Sequence, residues 1–202
     1  MAMIPTAWGA CGIVWKNREN ESAEGFTCRP GNALLCRICT PGLTAGDLRA
    51  YFCGIYPGCM EVLCNAGGSF HPEIVPGWFA ELRTYLQSYY SAALRHWPVP
   101  RFLDHWAYWQ PRLDWEQLTA FQRRVLQVVA NIPSGEKLTY GAVAAKIGKP
   151  KSSRAVGAAI GNNPWPVLVP CHRVVGASGK MTGFSAPGGV ETKRKMLDME
   201  AV

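Results

Sequence analysis

The chain has 202 residues, of which 48% are hydrophobic and 17% charged, so it is long enough to bury one or two cores and too apolar to be largely disordered. It contains no run of eighteen apolar residues, and its N-terminus lacks the basic and then apolar pattern of a secretion signal, so we expect a cytoplasmic protein, or a nuclear one in a eukaryote, with no membrane contact. The formal net charge of +7 comes from the second half, because residues 1–110 carry eight Lys/Arg and eight Asp/Glu whereas residues 111–202 carry thirteen and six; this asymmetry predicts an anionic partner, most often nucleic acid.

The first 75 residues have the pattern of short strands joined by turns. The stretches ACGIVWK, GFTCR, ALLCRICT and CMEVLC alternate with segments rich in Gly, Pro, Asn and Asp. After them, PGWFAELRTYLQSYYSA has helical spacing, with one face formed by Phe79, Leu82, Leu86 and Tyr89/Tyr90. We therefore predict a small α+β domain over residues 1–95.

Seven of the eight cysteines lie in the first 64 residues. Without a secretion signal we expect reduced thiols rather than a disulfide scaffold. Cys36 and Cys39 have the spacing of a zinc or redox pair, but positions i and i+3 of a strand point to opposite faces and cannot share one metal. No second close pair supports a metal site built from the other candidates, which are Cys11, Cys28, Cys53, Cys59, Cys64 and His71. We predict no bound metal.

Residues 96–115, HWPVPRFLDHWAYWQPRLDW, contain three prolines and four tryptophans and have no clean period. We predict a linker whose aromatic side chains pack against one or both of the flanking domains.

From Leu118 the pattern becomes helical, which predicts a second domain over residues 116–202. TAFQRRVLQVVANI is expected to form a helix that ends before Pro133, with one side made of Phe121, Val125, Val128 and Val129.

Two shorter helical stretches follow, TYGAVAAKIG and SSRAVGAAIGNN, separated by a Lys-Pro-Lys turn. Their lengths and small residues fit a helix-turn-helix unit, although the pattern alone fits an ordinary helical hairpin equally well. DNA binding is favoured by the cations around the turn, because phosphate contacts need several positive charges on one surface; these are Lys146, Lys149, Lys151 and Arg154.

The stretch VLVPCHRVV predicts a buried strand that is interrupted by Pro170, which places Cys171 at the lip of a pocket. A lone cysteine is more often a core residue. Here the polar pair His172 and Arg173 follows at once and would be costly to bury without a purpose. A thiol becomes a nucleophile when a base or a positive charge favours the thiolate, and His172 is the candidate base.

The stretch RAVGAAIGNNPWPVLVPCHRVV resembles the active-site signature of the O6-alkylguanine-DNA alkyltransferases, also called methylated-DNA-protein-cysteine methyltransferases. The similarity runs from about Leu118 to Glu200 and includes FQRRVL, IPSGEKLTYGAVA and GFSAPGGVETKRKMLDME. The first 110 residues match only loosely, in size and α+β character. The resemblance implies an α+β protein with a ribonuclease H-like N-terminal domain and a mostly helical, winged-helix-like C-terminal domain that carries a helix-turn-helix.

The resemblance also implies the chemistry. Cys171 would take the alkyl group from O6 of guanine, and possible substrates extend to O4-alkylthymine. His172 would act as general base through a water, and Glu200 would orient it. The thioether product cannot be hydrolysed, so the protein would be a single-turnover methyltransferase that works as a monomer without a cofactor.

The partner implied is double-stranded DNA containing O6-alkylguanine, bound mainly through the minor groove. Tyr140 would polarise or protonate the flipped guanine, and Arg154 would fill the gap that this base leaves in the stack. The other predicted DNA contacts on the second helix and before it are Lys151, Ser153, Ala155 and Gly157.

The remaining implied site residues surround the base. Asn163 would brace the turns next to Cys171, although it is also a candidate helix C-cap before Pro164. Ser185 would contact O6, Phe184 would form an apolar wall, and the backbone carbonyl of Val174 would read the guanine amino group.

Three other classes of protein are alternatives to this one. A DNA-binding module without transfer activity would resemble the alkyltransferase-like proteins, which carry Trp where Cys171 stands. A cysteine hydrolase would take its histidine from a distant segment, because neighbouring side chains on a strand diverge. A regulator that senses methylation through a metal-bound cysteine would need a four-cysteine pattern, which the N-terminal part lacks.

Overall fold

A computed structural model of the chain describes residues 2–6, 8–17, 33–43, 77–91 and 106–201. The chain divides into two compact units, the first comprising Met1–Leu94 with Arg112–Asp114 and the second Arg95–Pro111 with Trp115–Val202. The strands predicted at GFTCR and CMEVLC lie outside the described residues, as do residues 96–105 of the predicted linker and the cysteines 28, 53, 59 and 64.

The first unit contains an antiparallel sheet of three strands, β1 (Ala2–Thr6), β2 (Gly9–Asn17) and β3 (Ala33–Leu43), in that order. The strands predicted at ACGIVWK and ALLCRICT are thus confirmed as β2 and β3. Ile13 pairs with Ile38, and both side chains are buried. Cys36 on β3 is buried whereas Cys39 is half-buried. The described residues contain no group of three or more side chains that could hold a metal ion.

Helix α1 (Phe79–Tyr89) completes the first unit and contacts β1. It buries the face that its spacing predicts, with Tyr85 in addition: the buried side chains are Phe79, Leu82, Tyr85, Leu86 and Tyr89. The preceding Trp78 donates its indole N–H to the carbonyl of Ala33 at 3.2 Å, and the backbone N–H of Asp114 bonds to Leu35 O at 3.0 Å.

The described part of the predicted linker contains a short helix α2 (Trp106–Trp109) in the second unit, and single 3-10 turns follow at Gln110–Arg112 and Trp115–Gln117. This part of the predicted linker is therefore helical. Within the second unit, Trp115 makes edge contacts with Trp106 and with the buried Trp165, at ring-centroid distances of 5.7 and 4.9 Å.

Three helices form the core of the second unit: α3 (Ala120–Ala130), α4 (Tyr140–Lys146) and α5 (Ser153–Gly161). Thr119 and Gln122 form a capping box at the start of α3, which satisfies backbone donors that a helix end otherwise leaves open. The buried face of α3 contains Leu126, whereas the predicted Phe121 and Val128 are half-buried. Helices α4 and α5 contact each other and α3, so the two short helices predicted on either side of the Lys-Pro-Lys turn are present.

The strand predicted at VLVPCHRVV is mostly absent. Residues 164–169 form bends and turns, Cys171–Arg173 form a 3-10 turn, and only β5 (Val174–Val175) is strand, paired in parallel with β4 (Leu138–Thr139). Prolines at 164, 166 and 170 remove the backbone donors that a sheet ladder needs. The backbone N–H of Val169 instead bonds to Trp165 O at 2.8 Å, and Val167 takes a positive φ of 75°.

Helix α6 (Gly189–Glu200) ends the described chain and buries Lys193, Met196, Leu197 and Glu200. It begins after Gly188, whose φ of +79° lies in the left-handed region that favours glycine. Among the described residues, no helix combines the length and the apolar character needed to cross a membrane.

Gly188→Ala should destabilise the protein more than Gly148→Ala. Comparing the two variants separates the cost of backbone strain from the cost of steric overlap. Both positions have a positive φ, so each alanine loses about 1–2 kcal/mol to backbone strain. A Cβ at Gly188 would also lie 2.5 Å from Thr192 Oγ1, whereas a Cβ at Gly148 meets nothing within 4 Å. We expect roughly 1 kcal/mol or more of additional loss at Gly188 from this overlap. Urea unfolding measures both, and equal losses would contradict the steric argument.

Candidate active site

A buried polar turn stands at the centre of the second unit. Cys171, His172 and Arg173 form one 3-10 turn, in which their exposed fractions are 7%, 0% and 1%. Pro170 starts the turn: its carbonyl accepts the N–H of Arg173 at 2.9 Å, and the N–H of Cys171 bonds to Val169 O at 2.8 Å. These bonds fix the backbone that carries the thiol.

Glu200, at the end of α6, lies against this turn and is 2% exposed. Its Oε1 accepts hydrogen bonds from His172 Nε2 and Arg173 Nη2, both at 2.8 Å, and its Oε2 accepts one from Arg173 Nε at 2.7 Å. Burial alone would raise the pKa of Glu200, but the hydrogen bonds and charges of His172 and Arg173 outweigh it and lower the pKa to about 2. Glu200 is therefore an anion over the whole neutral range.

His172 is held as a neutral imidazole. Burial lowers its pKa and prevails over the hydrogen bond and charge of Glu200, which act in the opposite direction. Because an ionised carboxylate only accepts hydrogen bonds, Nε2 must carry the proton that points at Glu200. The lone pair of the ring is then on Nδ1, which is the nitrogen equipped to act as a base.

Arg173 belongs to the site, but the sequence did not indicate that it pairs with Glu200. Besides its two bonds to Glu200, its Nη1 donates to the carbonyl of Ile132, just after α3, at 2.6 Å. It thereby connects α6, the 3-10 turn and the end of α3.

Asn163 spans the turn that leads to Cys171. Its Nδ2 donates to Val169 O at 2.8 Å, and its Oδ1 accepts the N–H of Trp165 at 3.0 Å. The C-cap of α5 is Asn162, so the alternative role of Asn163 as that cap is wrong. Burial raises the pKa of the Cys171 thiol, and a hydrogen bond from Asn163 and the charge of Lys193 oppose this increase.

A cavity of about 800 Å³ opens beside Cys171 within the second unit. It brings together seven of the residues predicted for the site, which are Tyr140, Ser153, Arg154, Gly157, Cys171, Phe184 and Ser185. His172, Asn163, Val174 and Glu200 are absent from its lining, and Lys151 and Ala155 are exposed.

Two hydroxyl groups of this cavity already have partners. Tyr140 Oη donates to Thr182 O at 3.5 Å, and burial raises the tyrosine pKa, so the phenol keeps its proton at neutral pH. Ser185 Oγ donates to Gly161 O, at the end of α5, at 2.9 Å.

Lys193 is a charged residue of this cavity that the sequence did not indicate. It is fully buried, its Nζ donates to Val174 O at 2.5 Å, and this nitrogen lies 5.7 Å from the ring centroid of Tyr140 and 6.0 Å from that of Phe184. One signal was available: residues 193, 196, 197 and 200 have the i, i+3, i+4, i+7 spacing of a single buried helix face.

These features define an α+β protein in which a buried thiol, backed by a histidine and a glutamate, opens onto a cavity beside two short helices. The family model described as "6-O-methylguanine DNA methyltransferase, DNA binding domain" matches residues 120–202. A methylated-DNA-protein-cysteine methyltransferase of Methanosarcina mazei is 37% identical over 123 residues, which are 61% of this chain and 68% of that protein. The chain therefore belongs to the methylated-DNA-protein-cysteine methyltransferase family.

Two further matches are to Mycobacterium tuberculosis. Its methylated-DNA-protein-cysteine methyltransferase is 51% identical over 82 residues, 41% of this chain and 48% of that protein, so the chain spans about half the length of this relative. The crystal structure of Mycobacterium tuberculosis OGT in complex with DNA is 28% identical with a TM-score of 0.61, and the match covers 99% of this chain and 91% of that one.

Glu200→Gln should lower the free energy of unfolding by about 3 kcal/mol or more at pH 7, because it leaves the buried Arg173 guanidinium without a carboxylate. The folded pKa of about 2 lies below the ordinary value near 4.3. The stabilisation is therefore fully present above about pH 4.5 and is lost as the pH falls towards 2.

Urea unfolding between pH 7 and pH 2 tests this prediction. The control is Glu191→Gln, because Glu191 is an exposed partner of Arg194 on the same helix and should change stability by less than roughly 0.5 kcal/mol. A difference between wild type and Glu200→Gln that is undiminished at pH 2 would show that the carboxylate charge is not responsible.

Proposed function

We propose that this protein repairs DNA by moving the alkyl group of O6-alkylguanine onto Cys171, once per molecule. The observation that carries the proposal is the buried Cys171 thiol, which lies next to the His172–Glu200 pair and opens onto the cavity that contains Tyr140. Membership of the methylated-DNA-protein-cysteine methyltransferase family supports the same reaction. O4-alkylthymine is a candidate second substrate.

In the proposed reaction His172 takes the thiol proton through a bridging water, while Glu200 holds its ring in the required tautomer. The sulfur then attacks the alkyl carbon. A C–S bond forms as the C–O6 bond breaks, and the electron pair of the broken bond goes to guanine, which regains a proton as it departs. Tyr140, whose phenol is protonated at neutral pH, lies in the cavity where it can donate to the base.

We propose that double-stranded DNA is bound by α5 and the turn before it, through the minor groove. The N-terminal part of α5 presents Arg154 and Ala155 as exposed residues, and Lys151 is exposed in the turn. Ser153, Arg154 and Gly157 line the cavity, so the same helix faces both the solvent and the reaction site. Arg154 would replace the flipped nucleotide in the stack, because O6 inside a duplex is out of reach of a pocket nucleophile.

Recognition of the flipped guanine would use groups that already hold hydrogen bonds. The Val174 carbonyl accepts from Lys193, but a carbonyl oxygen has two lone pairs and can also accept from the guanine amino group. The Ser185 hydroxyl donates to Gly161 O, so it must rotate its hydrogen towards O6 if it is to bind the substrate. Phe184 would supply an apolar wall.

We further propose a ribonuclease H-like N-terminal domain over residues 1–95, a linker over 96–115 and a winged-helix-like domain with a helix-turn-helix over 116–202. The three-stranded antiparallel sheet with α1, and the pair α4 and α5 packed on α3, support these assignments. The protein would act as a cytoplasmic monomer without a metal or a cofactor.

Cys171→Ala should abolish transfer and leave DNA binding intact. Mixing the wild-type protein with an oligonucleotide duplex containing O6-methylguanine should add one methyl group to the peptide that contains Cys171, as measured by mass spectrometry. Cys39→Ala, which removes a half-buried thiol from the first unit, is the matched control and should react like wild type. A wild-type protein that leaves the oligonucleotide methylated and Cys171 unmodified would refute the proposed function.

Arg154→Ala should slow repair of a duplex by about tenfold or more, because extruding a paired base costs a few kcal/mol that the arginine would offset. Repair of free O6-methylguanine base requires no extrusion and should change little. Single-turnover rates on the two substrates give the comparison, with Arg194→Ala on the exposed face of α6 as the control. Equal losses on duplex and free base would remove the base-flipping role.

A further inference from the structure

Glu200 is the last residue of α6, a position that a helix does not hold firmly by itself. The final carbonyls of a helix have no donor within it, and helix ends fray. The Glu200 carboxylate is nevertheless buried and bonded to both His172 and Arg173. The proposed reaction needs this carboxylate in one place, because it sets the tautomer of His172. Another part of the fold must therefore hold the end of α6 in position.

Residues 132–138, which we call the 132–138 loop, are attached at both ends to the residues that follow Cys171. At its start, the carbonyl of Ile132 accepts a hydrogen bond from Arg173 Nη1 at 2.6 Å. At its end, Leu138 pairs with Val174 in the parallel β4–β5 ladder. The two attachment points are consecutive residues, so the loop is held as a short bridge beside the reactive turn.

The tip of the 132–138 loop is a β-turn with the φ pattern of type II. The N–H of Glu136 bonds to Pro133 O at 3.2 Å, and Gly135 has a φ of +80° at the third position of the turn. This position of a type II turn needs a positive φ, which glycine adopts without strain. The missing side chain also allows a close approach, because a Cβ at Gly135 would lie 3.5 Å from the carbonyl oxygen of Glu200.

The 132–138 loop thus touches both partners of the buried ion pair. Ile132 binds the guanidinium of Arg173, and Gly135 lies against the backbone of Glu200. The structure describes all the residues of this loop, and none of them lines the cavity beside Cys171. An effect of the loop tip on the reaction must therefore pass through the ion pair.

We propose that Gly135 is a positioning residue of the site: its contact with the backbone of Glu200 keeps the end of α6 against the Cys171 turn, and so keeps the carboxylate on His172 and Arg173. The proposal rests on the alkyl transfer proposed for Cys171. If the glycine served only the turn, alanine and leucine at position 135 would have the same effect on the reaction. If it positions Glu200, the larger side chain should have the larger effect.

Two substitutions at position 135 separate backbone strain from side-chain bulk. Gly135→Ala introduces the strain of a positive φ, but its Cβ would lie at an ordinary contact distance from Glu200 O. Gly135→Leu introduces the same strain and adds further carbon atoms beyond that Cβ. Gly179→Leu is the matched control, because Gly179 is exposed, has a φ of +77°, and a Cβ there meets nothing within 4 Å.

Two quantities are measured for each variant: the dissociation constant for an unmodified duplex, and the single-turnover rate of methyl transfer from a saturating O6-methylguanine duplex. We expect Gly135→Leu to slow transfer by about tenfold or more, because a small displacement of catalytic groups is costly. Its dissociation constant should stay within roughly threefold of wild type. Gly135→Ala and Gly179→Leu should keep both quantities within roughly threefold of wild type. Thermal unfolding shows whether each variant is folded at the assay temperature.

A double-mutant cycle tests the route through Glu200. If Gly135→Leu acts by displacing this carboxylate, it should slow transfer little further in a protein that already carries Glu200→Gln. Equal factors in both backgrounds would show that the leucine acts elsewhere, and would overturn the inference. If the Glu200→Gln protein does not fold, the comparison of alanine with leucine at position 135 decides the matter.

Equal slowing by Gly135→Ala and Gly135→Leu would also overturn the inference, because backbone strain alone would then be responsible. So would a Gly135→Leu variant that takes up the methyl group as fast as Gly179→Leu. A wild-type protein that takes no methyl group from the O6-methylguanine duplex would instead refute the proposed function.

Discussion

Glu200 ends α6 with a buried carboxylate that accepts three hydrogen bonds, and the site is arranged around those bonds. Two come from Arg173 and one from His172, so a single carboxylate connects the last helix to the turn that carries Cys171. The third donor of Arg173, Nη1, bonds to the carbonyl of Ile132 and so connects the end of α3 to the same group of side chains. A buried carboxylate without these partners would be costly, so the helix, the turn and the α3 end constrain one another.

The same cluster sets the protonation states that the proposed chemistry requires. Glu200 stays ionised because its donors outweigh its burial, and it holds the proton of His172 on Nε2. Because Arg173 balances the charge of Glu200, the pair contributes little net charge to the thiol. Activation of Cys171 in the proposed scheme therefore starts from a neutral base, His172, because burial lowers the pKa of its imidazole.

The sequence predicted the helices best, because the spacing of apolar residues within a short segment determines which face of a helix is buried. The buried face of α1, part of the predicted face of α3 and the two short helices around the Lys-Pro-Lys turn follow from apolar periodicity. Threonine side chains cap α3 and α4. The prediction of a strand before Pro170 is wrong. The apolar residues there are typical of a buried strand, but the three prolines at 164, 166 and 170 remove backbone donors that a strand would need. Arg173 and Lys193 were missed as partners because their contacts join residues 19 to 41 positions apart in the chain, which periodicity does not reveal.

The turn before Cys171 shows why such a site resists prediction from sequence. Val167 is β-branched and buried at a φ of 75°, a conformation that costs on the order of 1–3 kcal/mol. Asn163 bonds to both Trp165 and Val169, and the indole of Trp165 packs on Trp115, so the surrounding contacts hold the strained residue in place. The strain is maintained by tertiary packing rather than by local preference.

Helix α5 leads directly into this turn, and its exposed first residues are those proposed to meet DNA. The proposed binding surface and the thiol are therefore joined through helix α5 and a turn that tertiary contacts hold in place.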